Sequence, residues 1–134
     1  MSSRYTLGKK ERLKSRKSIE QLFAEGKSIS AFPVRVQYFF NSHLPANLQA
    51  GFTTNSRYFK KAADRNRIKR VMREAYRLQK NPLQENLKSG SRQLAVFFIY
   101  TGKELPQYRL VSEQIAVILK KLIRIVNEMA VARS

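Results

Sequence analysis

Residues 64–77, DRNRIKRVMREAYR, leave very little of their surface free to be buried. Seven of these fourteen residues carry cationic or amide side chains. Between them Ile68, Val71, Met72 and Ala75 recur at i, i+3, i+4 and i+7, the spacing of one apolar stripe on an α-helix. The pattern predicts a helix over about 62–79 that docks by this stripe and exposes charge on its other faces. Asp64 is the expected N-cap, complementing the helix dipole, and Asn81-Pro82 is the expected stop.

The surface that receives this stripe is expected to be a sheet. QLAVFFIY, residues 93–100, is the most apolar run of the chain, and its β-branched and aromatic content reads as a buried strand. In residues 30–40, SAFPVRVQYFF, Val34, Val36 and Tyr38 point one way while Arg35, Gln37 and Phe39 point the other. Residues 48–54, LQAGFTT, read as a further strand, antiparallel to the first and joined to it by the loop NSHLPAN. Ile19, Leu22 and Phe23 define a short helix over 15–25, with a Ser18–Gln21 capping box and Gly26 as its stop. The last helix, about 107–130, places Val111, Ile115, Ile118, Leu119, Leu122, Val126 and Met129 on one face. Residues 82–91 read as polar and irregular, and residues 1–14 as a flexible basic arm. The order is α-β-β-α-β-α, with an extra short strand near Ile29. This predicts one α+β domain over 15–131, a two-layer sandwich with a mixed sheet of about four strands and three helices. No repeat and no low-complexity linker divides the 134 residues.

Charge narrows the partners. Lys and Arg number 27 against 9 acids, a formal net charge of +18. A domain with that imbalance repels itself unless a polyanion neutralises it, and nucleic acid is the first candidate. No apolar stretch reaches the length of a membrane span and no secretory signal is visible at the N-terminus, so a cytoplasmic setting without membrane contact is expected. The absence of cysteine removes disulfides, zinc-thiolate sites and thiol catalysis. On the helix, Arg65, Lys69 and Arg73 form one row, and Arg67 and Arg70 another that continues through Glu74 and Arg77. Arginine's planar fork suits phosphate. Asn66 is either an N-cap or first-turn residue, or a donor and acceptor for a base edge or ribose hydroxyl.

Arg65-Asn66-Arg67-Ile68-Lys69-Arg70 followed by Arg73-Glu74 resembles the signature of the bacterial ribonuclease P protein subunit. Arg12-Leu13, Leu22-Phe23 and Gly26 sit where that family has similar residues, and the resemblance spans roughly residues 11–130. Two places depart from the pattern. Ser56-Arg57-Tyr58-Phe59-Lys60 replaces a Ser-Lys-Lys-x-Gly-like stretch, and Ile19 stands where an aromatic is frequent. The resemblance implies a fold like the second domain of a small-subunit ribosomal protein. It implies a 1:1 ribonucleoprotein in which a catalytic RNA removes the 5′ leader of precursor tRNA. Arg65, Asn66, Arg67, Lys69, Arg70 and Arg73 would bind the ribonuclease P RNA. The single-stranded leader would lie in a cleft between sheet and first helix, with Phe23, Arg35, Gln37, Phe39, Arg57, Tyr58, Lys60 and Lys61 as candidates. Magnesium ions would be held mainly by RNA, with no direct protein ligand.

The residues agree with that division of labour. Cations interleaved with aromatics suit a sequence-tolerant single-strand groove, although Phe23 and Phe39 also read as core. The chain has one Asp, one His and eight scattered Glu, whereas two-metal phosphodiester cleavage needs clustered carboxylates. His43 reads as a surface residue. A structural, ribosomal-type RNA-binding protein is the alternative. A helix-turn-helix DNA reader lacks its preceding helix, and a free-standing nuclease lacks its acids.

Overall fold

The apolar run at 93–100 takes the middle of the sheet. In the computed structural model, which describes residues 7–41 and 44–133, four strands lie in the order β1-β2-β4-β3. They are β1 (Lys27–Ala31), β2 (Val34–Phe40), β3 (Leu48–Thr54) and β4 (Leu94–Tyr100). β1 and β2 are antiparallel, β2 and β4 are antiparallel, and β3 runs parallel to β4. The helices are α1 (Arg16–Glu25), α2 (Ala62–Arg77), α3 (Asn81–Ser89) and α4 (Tyr108–Arg133), preceded by a 3-10 turn at Lys9–Glu11. The α+β class and mixed sheet are those read from the sequence.

Several local expectations are corrected. β2 and β3 are not partners, because β4 lies between them. Leu94, Val96 and Phe98 are fully buried and Ala95 nearly so on the opposite face. A strand apolar on both faces belongs inside a sheet. The strand expected over 30–40 is broken at Phe32-Pro33, and the short strand near Ile29 becomes β1, with Ile29 opposite Val36. The cap of α1 is Ser15, whose side chain accepts from the Ser18 N–H at 3.3 Å. Gly26 does end α1, through its N–H to the Leu22 carbonyl. A Cβ there would lie 2.3 Å from that oxygen and 2.7 Å from the Tyr38 carbonyl, so only glycine fits. Asp64 is not the cap of α2. Lys61 holds that position and Asp64 lies in the first turn, where its charge still complements the dipole.

Residues 82–91 are not irregular. Pro82 sits in the first turn of α3, where a missing N–H costs nothing, and Leu83 and Leu87 are both fully buried. The Pro that ends one helix starts the next. α3 closes with the paired bonds Ser91 N–H to the Lys88 carbonyl and Arg92 N–H to the Leu87 carbonyl. The left-handed position of this motif falls on Ser91, at φ 53°, one residue after Gly90.

Two cores flank the sheet. The larger joins Val34, Val36 and Tyr38 of β2 and the buried face of β4 to α2, α3 and α4. Ile68, Met72 and Ala75 of the expected α2 stripe are buried there with Tyr76, and Val71 packs at its margin. The smaller lies on the other face, where Leu13, Leu22, Leu44 and Ala95 meet under α1.

Residues 7–14 are not a loose arm; residues 1–6 lie outside the described residues, as does His43. Leu7 and Leu13 are buried in the larger and smaller cores respectively. The Leu13 N–H bonds the Ala50 carbonyl at 2.9 Å, and the buried Gln49 amide donates to the Lys10 carbonyl at 2.7 Å. Lys80, only 2% exposed, donates from Nζ to Glu11 Oε1 at 2.7 Å and to Gln84 Oε1 at 3.1 Å. Burial pushes the Glu11 carboxyl up, but hydrogen bonds from Lys80, Gly8 and Gln84 and the Lys80 charge outweigh it, leaving the pKa below its ordinary value.

Two outcomes follow from this packing. Replacing Ser91→Gly relieves a left-handed residue and should raise stability by about 0.5–1 kcal/mol in urea denaturation. Because the folded pKa of Glu11 is depressed, its stabilisation is present above the unfolded value and is lost as pH falls through the folded one. The gap in thermal midpoint between wild type and Glu11→Gln should therefore be widest near neutrality and shrink as pH drops below about 4. A gap independent of pH would exclude the ion pair as its cause.

Candidate nucleic-acid interface

α1 covers one end of its sheet face and leaves the other open. That face is built by Arg35, Gln37 and Phe39 of β2, which lie opposite Ile99, Phe97 and Ala95 of β4. These in turn pair with Thr53, Gly51 and Gln49 of β3. Phe39 packs with Ile19 in the small core beneath α1, so it is core first. Phe23 is 45% exposed, and its ring stands 5.4 Å from that of Phe97 at 60°. Arg35 is exposed and Gln37 half-buried beside them. The result is a groove with an aromatic corner and a polar floor.

Phe97 is the residue that sequence reasoning missed. It sits inside the most apolar run, where its neighbours Val96 and Phe98 face the larger core. The signal was the alternation of β2, which extends across the sheet through the Gln37–Phe97 pairing. Gly51 belongs to the same corner, because a Cβ there would meet the Phe97 ring at 3.0 Å. Any larger residue would push that ring away.

On α2 the six signature residues divide by task. Asn66, Arg67 and Arg70 are exposed and Lys69 is half-buried. Among the described residues, Arg67, Lys69 and Arg70 have no ion-pair partner. Asn66 lies inside the helix and not at its cap. Arg65 turns back, its Nη1 donating to the Phe59 and Lys60 carbonyls at 2.8 Å each. It therefore pins the connector that precedes the helix. Arg73 lies with its guanidinium carbon 5.8 Å from the Phe52 ring centroid. The far end of the second row is neutralised where Arg77 pairs with Glu74.

The connector candidates sit where β3 and β4 end. Arg57, Tyr58, Lys60 and Lys61 are all exposed. Phe59 is buried against Tyr100, with ring centroids 6.0 Å apart. Tyr58 takes Lys103 over its ring at 5.4 Å, so it carries a cation of its own. Among the described residues no three His, Cys, Asp or Glu side chains converge. None of the described helices is long and apolar enough to cross a membrane.

An unneutralised arginine face on one side and a polar-aromatic groove on the other define a domain suited to nucleic acid. The family model described as Ribonuclease P matches residues 7–123. The ribonuclease P protein component of Porphyromonas gingivalis (strain W83) is 37% identical over 122 residues, covering 90% of this chain and 87% of that protein. That of Chlorobium phaeobacteroides is 31% identical over 123 residues, covering 83% and 84%. The RNase P protein from Thermotoga maritima superposes with a TM-score of 0.64 at 25% identity, covering 83% of this chain and 96% of that one. The Staphylococcus aureus RNase P protein reaches the same TM-score of 0.64 at 18% identity, over 82% and 93%. The chain belongs to the ribonuclease P protein family.

The exposure of Phe23 makes the groove testable. Phe23→Ala should weaken binding of a labelled single-stranded oligoribonucleotide by about 1–3 kcal/mol if a base stacks there. Its thermal midpoint should move little. Unchanged affinity in a fluorescence anisotropy titration would make the Phe23–Phe97 corner a packing feature.

Proposed function

We propose that this chain is the protein subunit of a ribonuclease P ribonucleoprotein acting in the cytoplasm. The exposed cations of α2 bind the catalytic RNA. The groove between α1 and the sheet holds the single-stranded 5′ leader of precursor tRNA. The observation that carries this reading is the presence of two separate surfaces, each fitted to a different form of RNA. Arg67, Lys69 and Arg70 present positive charge with no ion-pair partner among the described residues, which suits a structured backbone. Phe23, Phe97, Arg35 and Gln37 combine stacking with polar groups, which suits an unpaired strand of any sequence.

On this reading the protein binds, orients and lowers repulsion between two RNAs, one protein per catalytic RNA. The hydrolytic step belongs to the RNA, with magnesium ions held mainly by its phosphates. The protein's contribution is electrostatic, and it should be largest where magnesium is scarce.

The test is leader removal from precursor tRNA by cognate ribonuclease P RNA at limiting magnesium, with and without this protein, and with protein alone. Cleavage only when both are present is the expected result. Tight RNA binding with no gain in cleavage would replace this reading with a structural RNA-binding role. In a parallel binding titration, Arg67→Ala with Arg70→Ala should lower affinity for the RNA and flatten its dependence on salt. The log–log slope should fall by roughly 0.9 for each phosphate of duplex-like RNA that is no longer neutralised. Folding should be retained, because neither side chain packs against the core. Arg65→Ala is the poorer probe, since it also frees the connector.

A further inference from the structure

We propose that the free edge of β1 is a docking site for an extended, acidic and apolar segment of a partner protein, which joins the sheet as an additional strand. Among the described residues β1 ends the strand order and pairs only with β2. The backbone polar groups along its outer edge therefore face no strand there. Its sequence, KSISA, has no Pro and a single charge, Lys27 at its start, so little in it keeps another strand away. Ile29 and Ala31 pack against the larger core yet stay half-buried. A further strand would complete their cover.

An apolar surface adjoins the end of this strand. Phe32 follows β1 directly and is 71% exposed, more than any other large apolar side chain among the described residues. The turn that carries it is pinned on two sides. The Gln114 amide donates to the Phe32 carbonyl at 2.7 Å, and the Thr101 N–H to the Pro33 carbonyl at 2.8 Å. A cleft of about 440 Å³ lies beside it, lined also by Leu105 and Leu110, both exposed. Leu110, Gln114 and Val117 share one row of α4, so the exposed Val117 prolongs the apolar surface along the helix. Large apolar residues gathered in this way on one flank mark an interaction surface.

The two features together select the occupant. Backbone pairing requires an extended chain, and the cleft at its end takes an apolar side chain. Charge supplies the rest. Lys103 and Glu104 in the cleft carry opposite signs. Lys27 on β1 and Lys121, next on the α4 row, are exposed and have no ion-pair partner among the described residues. Acidic side chains beside the apolar anchor complement them. A second copy of this chain would instead bring its own net charge of +18. β1 lies at the opposite edge from β3, on which α2 packs, so the partner leaves the exposed cations of α2 free. The site goes beyond the proposed function and is tested on the free protein, so a failed cleavage assay and a failed docking site are separate results.

The experiment is an amide-resolved NMR titration of the ¹⁵N-labelled protein at constant ionic strength. The probe is a short capped peptide that alternates glutamate with valine and ends in phenylalanine. Saturable shifts at residues 27–32 and at Leu110 are expected, with slowed amide exchange in β1. The same peptide N-methylated at alternate amides should lose them, because it cannot pair with an edge. A version with lysine in place of glutamate should bind more weakly. No shift in β1, shifts confined to residues 65–70, or equal binding by either altered peptide overturns the proposal. Phe32→Ser should weaken the peptide about tenfold, as for loss of an interface aromatic, whereas Leu78→Ser, an exposed apolar residue at the end of α2, should not. Equal losses in both variants would reduce the site to general stickiness. Sedimentation of the protein alone should show a monomer. A dimer that Phe32→Ser dissolves would assign the edge to a second copy and overturn the partner.

Discussion

A short helix on a long sheet face is the constraint from which the groove follows. α1 has ten residues and so spans about 15 Å. β2, β3 and β4 each have seven residues and run for roughly 23 Å. α1 can therefore seal only part of the face, and the small core shows which part: Leu22, Ile19, Phe39 and Ala95. Beyond it, Arg35 meets solvent and Ile99 and Thr53 are half-covered. A face that is half core and half water needs residues that change character along a single strand. β2 does this, from Arg35 through Gln37 to Phe39. The opposite face has no such gradient, because three helices cover it and bury Val34, Val36 and Tyr38 alike.

Where the few acids go matters as much as where the cations are. Glu11 is committed to Lys80 and Glu74 to Arg77. Neither pair neutralises Arg67, Lys69 or Arg70, so the field stays concentrated on the outer face of α2. The arginines of α2 are not equivalent either. Arg65 satisfies two connector carbonyls, Arg73 lies along an aromatic ring, and Arg77 is paired. A uniform run of charge in the sequence becomes structural work at its ends and available charge in its middle.

Periodic features were legible and non-local ones were not. The stripes of α2 and α4 and the alternation of β2 are properties of a few consecutive turns or residues, and each buries as its spacing indicates except at Val71 and Met129, which stay half-buried. Strand order is not such a property. Nothing in LQAGFTT says that its partner is β4, far along the chain, in place of β2. α3 was hidden because Asn81-Pro82 stops one helix and starts another, although Leu83 and Leu87 stand one turn apart. Phe97 was hidden by its own hydrophobicity, since a continuous apolar run conceals which of its residues face a groove.

The N-terminal segment was the hardest part to read. Leu7 and Leu13 stand alone among charges, and the ion pair that fixes them joins residues 69 apart in sequence. A buried ion pair is a poor source of stability, because desolvation offsets most of the attraction. What it adds here is register. An apolar pair of similar volume would press the segment against α3 equally well, but would accept neighbouring alignments. The Lys80 ammonium accepts only the position that brings Glu11 to it. That position sets Leu13 beside Ala50.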